Sequence, residues 1–177
     1  SATLSKAARK LLNTDGKDHV FVYNLSNDQN RYLLPEKKSI KKVIDEIGSK
    51  AQANDILFIF FAGHGVMAGN DKQFYFLTAD ASVSSDINSM SDAGISTKEL
   101  TEWIRPQYLK AQKRVLVFDA CNSGQAINDI AGAAFKVRND DKTQQVKAID
   151  KLNETSGLFI LSASATNQSA YEMTQYS

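Results

Sequence analysis

Three stretches of the chain are almost continuously apolar, and the segments between them repeat their apolar residues at helical intervals. Residues 55–61 (DILFIFF), 114–119 (RVLVFD) and 158–161 (LFIL) are too short for ordinary helices and read as strands. Unbroken apolar character is expected of strands in a parallel sheet covered by helices on both faces. Leu4, Ala7, Ala8, Leu11 and Leu12 form one helical face, closed by residues 13–17 with Gly16. After Pro35, the stripe Ile40, Val43, Ile44 and Ile47 predicts a second helix ending within residues 48–52.

Ser96 and Glu99 have the spacing of a capping box, so a third helix opens there and runs to about Ile104, stopping before Pro106. A helix also begins near Cys121, with Ala126, Ile127 and Ile130 along it. Val146, Ile149 and Leu152 predict another within the otherwise polar residues 132–156. Residues 19–24 (HVFVYN) are rich in β-formers and predict a further strand, followed by a polar loop at 26–31. Residues 74–77 are a short aromatic stretch, and 80–94 read as a polar loop without regular structure.

Strands alternating with helices require crossover connections, hence an α/β architecture with a mostly parallel sheet. Sites in such sheets lie at the carboxyl ends of the strands. His64 and Cys121 each follow the carboxyl end of a different predicted strand, so the fold is expected to bring them together despite their separation in sequence.

Composition narrows the function classes. A length of 177 residues suits one domain. Lysine and arginine number 21 against 20 acids, with neither sign gathered into a block, which argues against a nucleic-acid partner. No stretch approaches the ~20 apolar residues of a membrane span. A single cysteine excludes an internal disulfide and a cysteine-cluster metal site, and is compatible with a reducing compartment. The first residues, SATLSKAARKLL, lack the order of a signal peptide, and a cytoplasmic location is expected.

A lone cysteine is by default a buried small hydrophobe. Around Cys121, however, Ala120, Asn122, Ser123 and Gly124 are small or polar, and a helix N-terminus stabilises a thiolate through its dipole. His64 lies between Gly63 and Gly65, which leave room for a substrate beside the imidazole. His19 has no such setting and reads as structural. Asp119 taken alone ends a strand or caps a helix, and Glu172 taken alone is a solvated carboxylate.

FFAGHG at the end of one strand and VFDACNSG at the end of the next resemble the caspase, metacaspase and paracaspase clan of cysteine peptidases, most of all the bacterial metacaspase-type members. The resemblance covers roughly residues 4–172. It implies a three-layer caspase-like sandwich, with Cys121 as nucleophile, His64 as its acid–base partner, and an oxyanion hole from the backbone N–H groups of Gly65 and Cys121.

Caspases select aspartate with a glutamine two residues before the nucleophile and an arginine in a Ser-Trp-Arg segment. Here Asp119 stands at the first place, and Ala170, Tyr171 and Glu172 align with the second. Two carboxylates would reject an acidic side chain and accept a basic one, so cleavage after Arg or Lys is expected, with the substrate paired to the 170–172 backbone as an added strand. The substrate is a protein or peptide, and self-cleavage is expected at Lys136, Arg138, Lys142, Lys147 or Lys151.

No cofactor is expected, with activation by calcium as the alternative. Some metacaspases need calcium, and the loop with Asp80, Asp86 and Asp92 invites that comparison, but surface carboxylates are usually solvated and no EF-hand spacing is present. The family's first and last strands have no counterpart within residues 1–177, so a further fragment or second chain is expected to complete the sheet. A catalytically inactive scaffold is the alternative. A nucleotide-binding module is disfavoured because no strand leads into a phosphate-binding glycine pattern.

Overall fold

The computed structural model describes residues 2–28, 33–68, 73–81, 94–120, 123, 126, 129 and 157–163. Its contacts divide the chain into two units, residues 1–35 and 36–177.

In the first unit, α1 (Ala2–Leu12) forms as its apolar spacing predicts. Gly16, at φ 78°, supplies the left-handed turn that follows. The strand expected at residues 19–24 does not form, and the pairing seen in this unit is an isolated parallel bridge between Leu25 and Leu33. Side chains occupy the backbone groups that a ladder would use. Asn13 Oδ1 accepts from the His19 N–H at 2.9 Å, and Arg9 Nη2 donates to the Val20 carbonyl at 3.1 Å. β-propensity describes fit to a pleated surface and makes no strand without a neighbour.

The second unit contains α2 (Lys37–Lys50), β1 (Ile56–Gly63), β2 (Gly65–Ala68), β3 (Gln73–Leu77), β4 (Gly94–Ser96), α3 (Thr97–Trp103), β5 (Lys113–Ala120) and β6 (Leu158–Ser162). Ser123, Ala126 and Asp129 are helical as well. The α/β expectation is met by a parallel sheet of order β1-β5-β6, beside which β2, β3 and β4 form an antiparallel one. That second sheet is the main departure from the sequence reading. The aromatic stretch became its central strand, and Gly94, assigned to a loop, begins its edge strand.

The core lies where the two sheets meet. Phe61 and Phe118, from adjacent parallel strands, stack at 5.3 Å between ring centroids. Phe76 tilts against Phe61 at 5.0 Å, and Phe74 meets Phe118 edge-on at 6.1 Å. Ile95 and Leu100 close the same interior space from β4 and α3. The alternate positions of the parallel sheet face the other way. Ile56, Phe58, Phe60, Phe159 and Leu161 there are all more than 40% exposed.

Polar contacts fix the helices to this core. The N-cap Glu36 gives α2 no side-chain cap. Instead Asp80 Oδ1 accepts from the Lys37 N–H at 3.2 Å and is itself held by the Thr78 hydroxyl at 2.6 Å. The capping box of α3 forms as predicted between Ser96 and Glu99. Lys37 Nζ reaches Glu99 Oε1 at 2.7 Å. At the other end of α3, the buried Arg114 donates from Nη1 to the Ile104 carbonyl at 2.8 Å.

Candidate active site

β1 and β5 run in register, Phe61 with Phe118, Ala62 with Asp119 and Gly63 with Ala120. Each strand therefore delivers the next residue of its chain to the same end of the sheet. On β1 that residue is His64. On β5 it is Cys121, which itself lies outside the described residues.

His64 is the single residue between two strands of different sheets, Gly63 ending β1 and Gly65 beginning β2. The adjoining glycine has a packing reason. A Cβ on Gly63 would stand 3.2 Å from Phe76 Cζ, closer than an ordinary contact, so the chain passes tightly over that ring. The His64 backbone is held by its carbonyl, which accepts from the Leu77 N–H at 2.9 Å. The imidazole side chain is exposed, and among the described residues it makes no hydrogen bond.

That backbone bond decides where the next N–H points. In an antiparallel ladder, hydrogen-bonded and non-bonded pairs alternate. The His64–Leu77 bond makes the following pair, Gly65 with Phe76, a non-bonded one. The N–H of the buried Gly65 is thus directed away from β3 and is not consumed by the hairpin.

Asp119 lies within β5, exposed, on the face opposite Phe118 and Ala120. It is a strand residue and not a helix cap. Ala170, Tyr171 and Glu172 lie outside the described residues, so the second half of the expected pocket does too. The same holds for Asp86 and Asp92, for Val146, Ile149 and Leu152, and for the basic residues Lys136, Arg138, Lys142, Lys147 and Lys151. Asp80, the remaining member of the acidic loop, is occupied in capping α2. His19, read as structural, bonds Asp15 at 2.8 Å on the surface of the first unit.

The helix after β5 is tied down by polar contacts that sequence reasoning missed. Ser123, fully buried, lies with its Oγ 2.7 Å from Ser162 Oγ at the end of β6. Six residues on, Asp129 Oδ2 accepts from the Phe74 N–H at 3.0 Å and from the Thr97 hydroxyl at 3.1 Å. Positions 123, 126 and 129 share a helical face, a period that the sequence displays but that polar residues disguise.

No described helix is long and apolar enough to cross a membrane. Residues 4–130 match the family model described as metacaspase, peptidase C14 domain. Comparison with curated protein sequences gives no match.

Proposed function

Because the chain belongs to the metacaspase peptidase C14 domain family, a family of cysteine peptidases, we propose that it is an endopeptidase that cuts after arginine or lysine using Cys121 and His64. The observation that carries this reading is the pairing of Gly63 with Ala120, which leaves His64 and Cys121 as the next residues on neighbouring parallel strands.

In the proposed reaction the Cys121 thiolate attacks the carbonyl carbon of the scissile bond, and the oxygen gains the negative charge. The Gly65 N–H, unused by β3, supplies one oxyanion donor, and the Cys121 N–H is assigned as the other. The tetrahedral intermediate collapses as His64 gives a proton to the leaving amine. The neutral imidazole then takes a proton from water as the water oxygen attacks the acyl carbon. The carbon–sulfur bond breaks, the product leaves with a new carboxyl group, and the Cys121 thiolate and protonated imidazole are restored. Asp119, exposed and ionisable at the same end of the sheet, would receive the basic side chain, with Glu172 as its partner.

Processing within residues 132–156, at the basic positions named above, belongs to the same reading, as does completion of the sheet by a further fragment or chain. Calcium is not assigned a role.

Two fluorogenic peptides identical but for Arg or Asp before the scissile bond test the specificity, and a preference for Asp would refute it. An arginine-bearing acyloxymethyl ketone tests the nucleophile. The adduct is expected on Cys121 in the wild type and is absent from Cys121→Ala. If Cys121 instead reacts no faster than free cysteine, the protein is a scaffold that keeps the fold without the chemistry.

A further inference from the structure

The strand β3 touches both halves of the proposed dyad's support. From one edge, the Leu77 N–H holds the His64 carbonyl at 2.9 Å. At its other end, three residues away, the Phe74 N–H holds Asp129 on the helix that follows Cys121, at 3.0 Å.

The ladder pattern explains why a carboxylate is found there. Alternation from the His64–Leu77 bond makes the Met67–Phe74 pair a non-bonded one, so the Phe74 N–H is directed away from β2, toward the side of β4. β4 pairs with β3 only from Tyr75 to Leu77. Beyond that the chain turns into α3, and the Phe74 N–H loses its strand partner. Asp129 takes that place. The Thr97 hydroxyl lies 3.1 Å from the same carboxylate oxygen and 3.4 Å from the Phe74 carbonyl. It has one proton to give, and the shorter distance is to the carboxylate. Thr97 and Phe74 are buried and Asp129 is partly exposed, so both bonds are part-buried.

We infer that Asp129 is a positioning residue for the peptidase reaction: it locks the helix behind Cys121 to the same strand that locks the backbone of His64. Through β3, nucleophile and acid–base partner share one frame. The buried Ser123–Ser162 contact ties the same helix to β6, and the Asp129 bonds tie it to β3. This inference rests on the reading of His64 and Cys121 as the catalytic pair.

The test compares kinetics of the full chain on an arginine substrate. Asp129→Ala is expected to lower kcat on the order of 10- to 100-fold, the effect of an ångström-scale misplacement, with KM nearly unchanged. Asp129→Asn keeps an oxygen that can accept from Phe74 and is expected to restore most of kcat. Ile44→Ala, a core truncation in α2, serves as a destabilised control that keeps kcat. Should Asp129→Ala not fold, Thr97→Val removes the Thr97 hydroxyl bond to the carboxylate and is expected to lower kcat with the same unchanged KM. An active wild type whose Asp129→Ala variant keeps its kcat, or loses no more than Ile44→Ala, would overturn the inference alone. A wild type that neither cleaves the substrate nor labels at Cys121 would overturn the peptidase reading and this inference with it.

Discussion

The carbonyl oxygen of Gln112 lies where a side chain on Gly157 would begin: a Cβ there would stand 2.0 Å from it. Gly157 also has φ 64°, and its own carbonyl accepts from the Arg114 N–H at 2.8 Å, setting the register with which β6 joins β5. Gly157→Ala adds both a backbone clash and an unfavourable dihedral. It is expected to destabilise the second unit by about 3 kcal/mol or more, read from urea unfolding. A loss within about 0.5 kcal/mol, the range of ordinary surface changes, would contradict the close approach.

Asp80 acts as a cap supplied from outside the helix, because Glu36 gives α2 none. Asp80→Ala should therefore cost about 1 kcal/mol, the usual effect of losing a cap, and lower the thermal midpoint. Asp80→Asn retains an acceptor for the Lys37 N–H and should recover most of it. Equal losses in the two variants would show that the charge matters and the cap does not.

Glu99 gives a pH dependence whose sign can be worked out. Burial pushes its pKa up, but the bonds from Lys37 and Ser96 outweigh it, and the net shift is downward. A carboxylate with a depressed folded pKa contributes stability that is present above its unfolded value, about 4.3. That contribution is lost as pH falls through the lower folded value. The stability gap between wild type and Glu99→Gln should be open near neutrality and close progressively below that range. A gap independent of pH from neutral to acid would remove the ion pair and capping box as its source. Glu99 is partly exposed, so salt should narrow the gap as well.

Asp119→Ala tests the proposed specificity pocket. Loss of one charge-assisted contact to an arginine substrate should lower kcat/KM on the order of 10- to 100-fold. Alkylation of Cys121 by a small neutral reagent should keep its rate, since Asp119 is not assigned to the chemistry. An unchanged kcat/KM for the arginine substrate would take Asp119 out of the pocket.

Much of the parallel sheet was legible in the sequence because its signals are local. The runs at 55–61 and 114–119 became β1 and β5 almost residue for residue, and the Ser96–Glu99 box formed in the structure. The segment 19–24 shows the opposite case. Its residues favour a strand, yet strand formation depends on a neighbour, and the side chains of Asn13, Asp18 and Arg9 took up its backbone groups. The β2–β3–β4 sheet was missed for a related reason. Its strands are three to five residues long, too short for a period to register.

Within the candidate site, the sequence by itself supplied the candidates: the lone thiol of Cys121, the glycine-flanked His64, and carboxylates at positions 119 and 172. The first two follow from side-chain chemistry and from position at the ends of predicted strands, and the pairing of the two carboxylates follows from the family resemblance. Only the tertiary structure decided that Gly63 pairs with Ala120, that the Gly65 N–H is left unused by β3, and that Asp129 caps the unfinished edge of β3 from a helix 55 positions further along the chain. Ladder phase and the choice of a partner for an orphaned backbone N–H depend on what lies across the sheet, and that is information no local stretch of sequence contains.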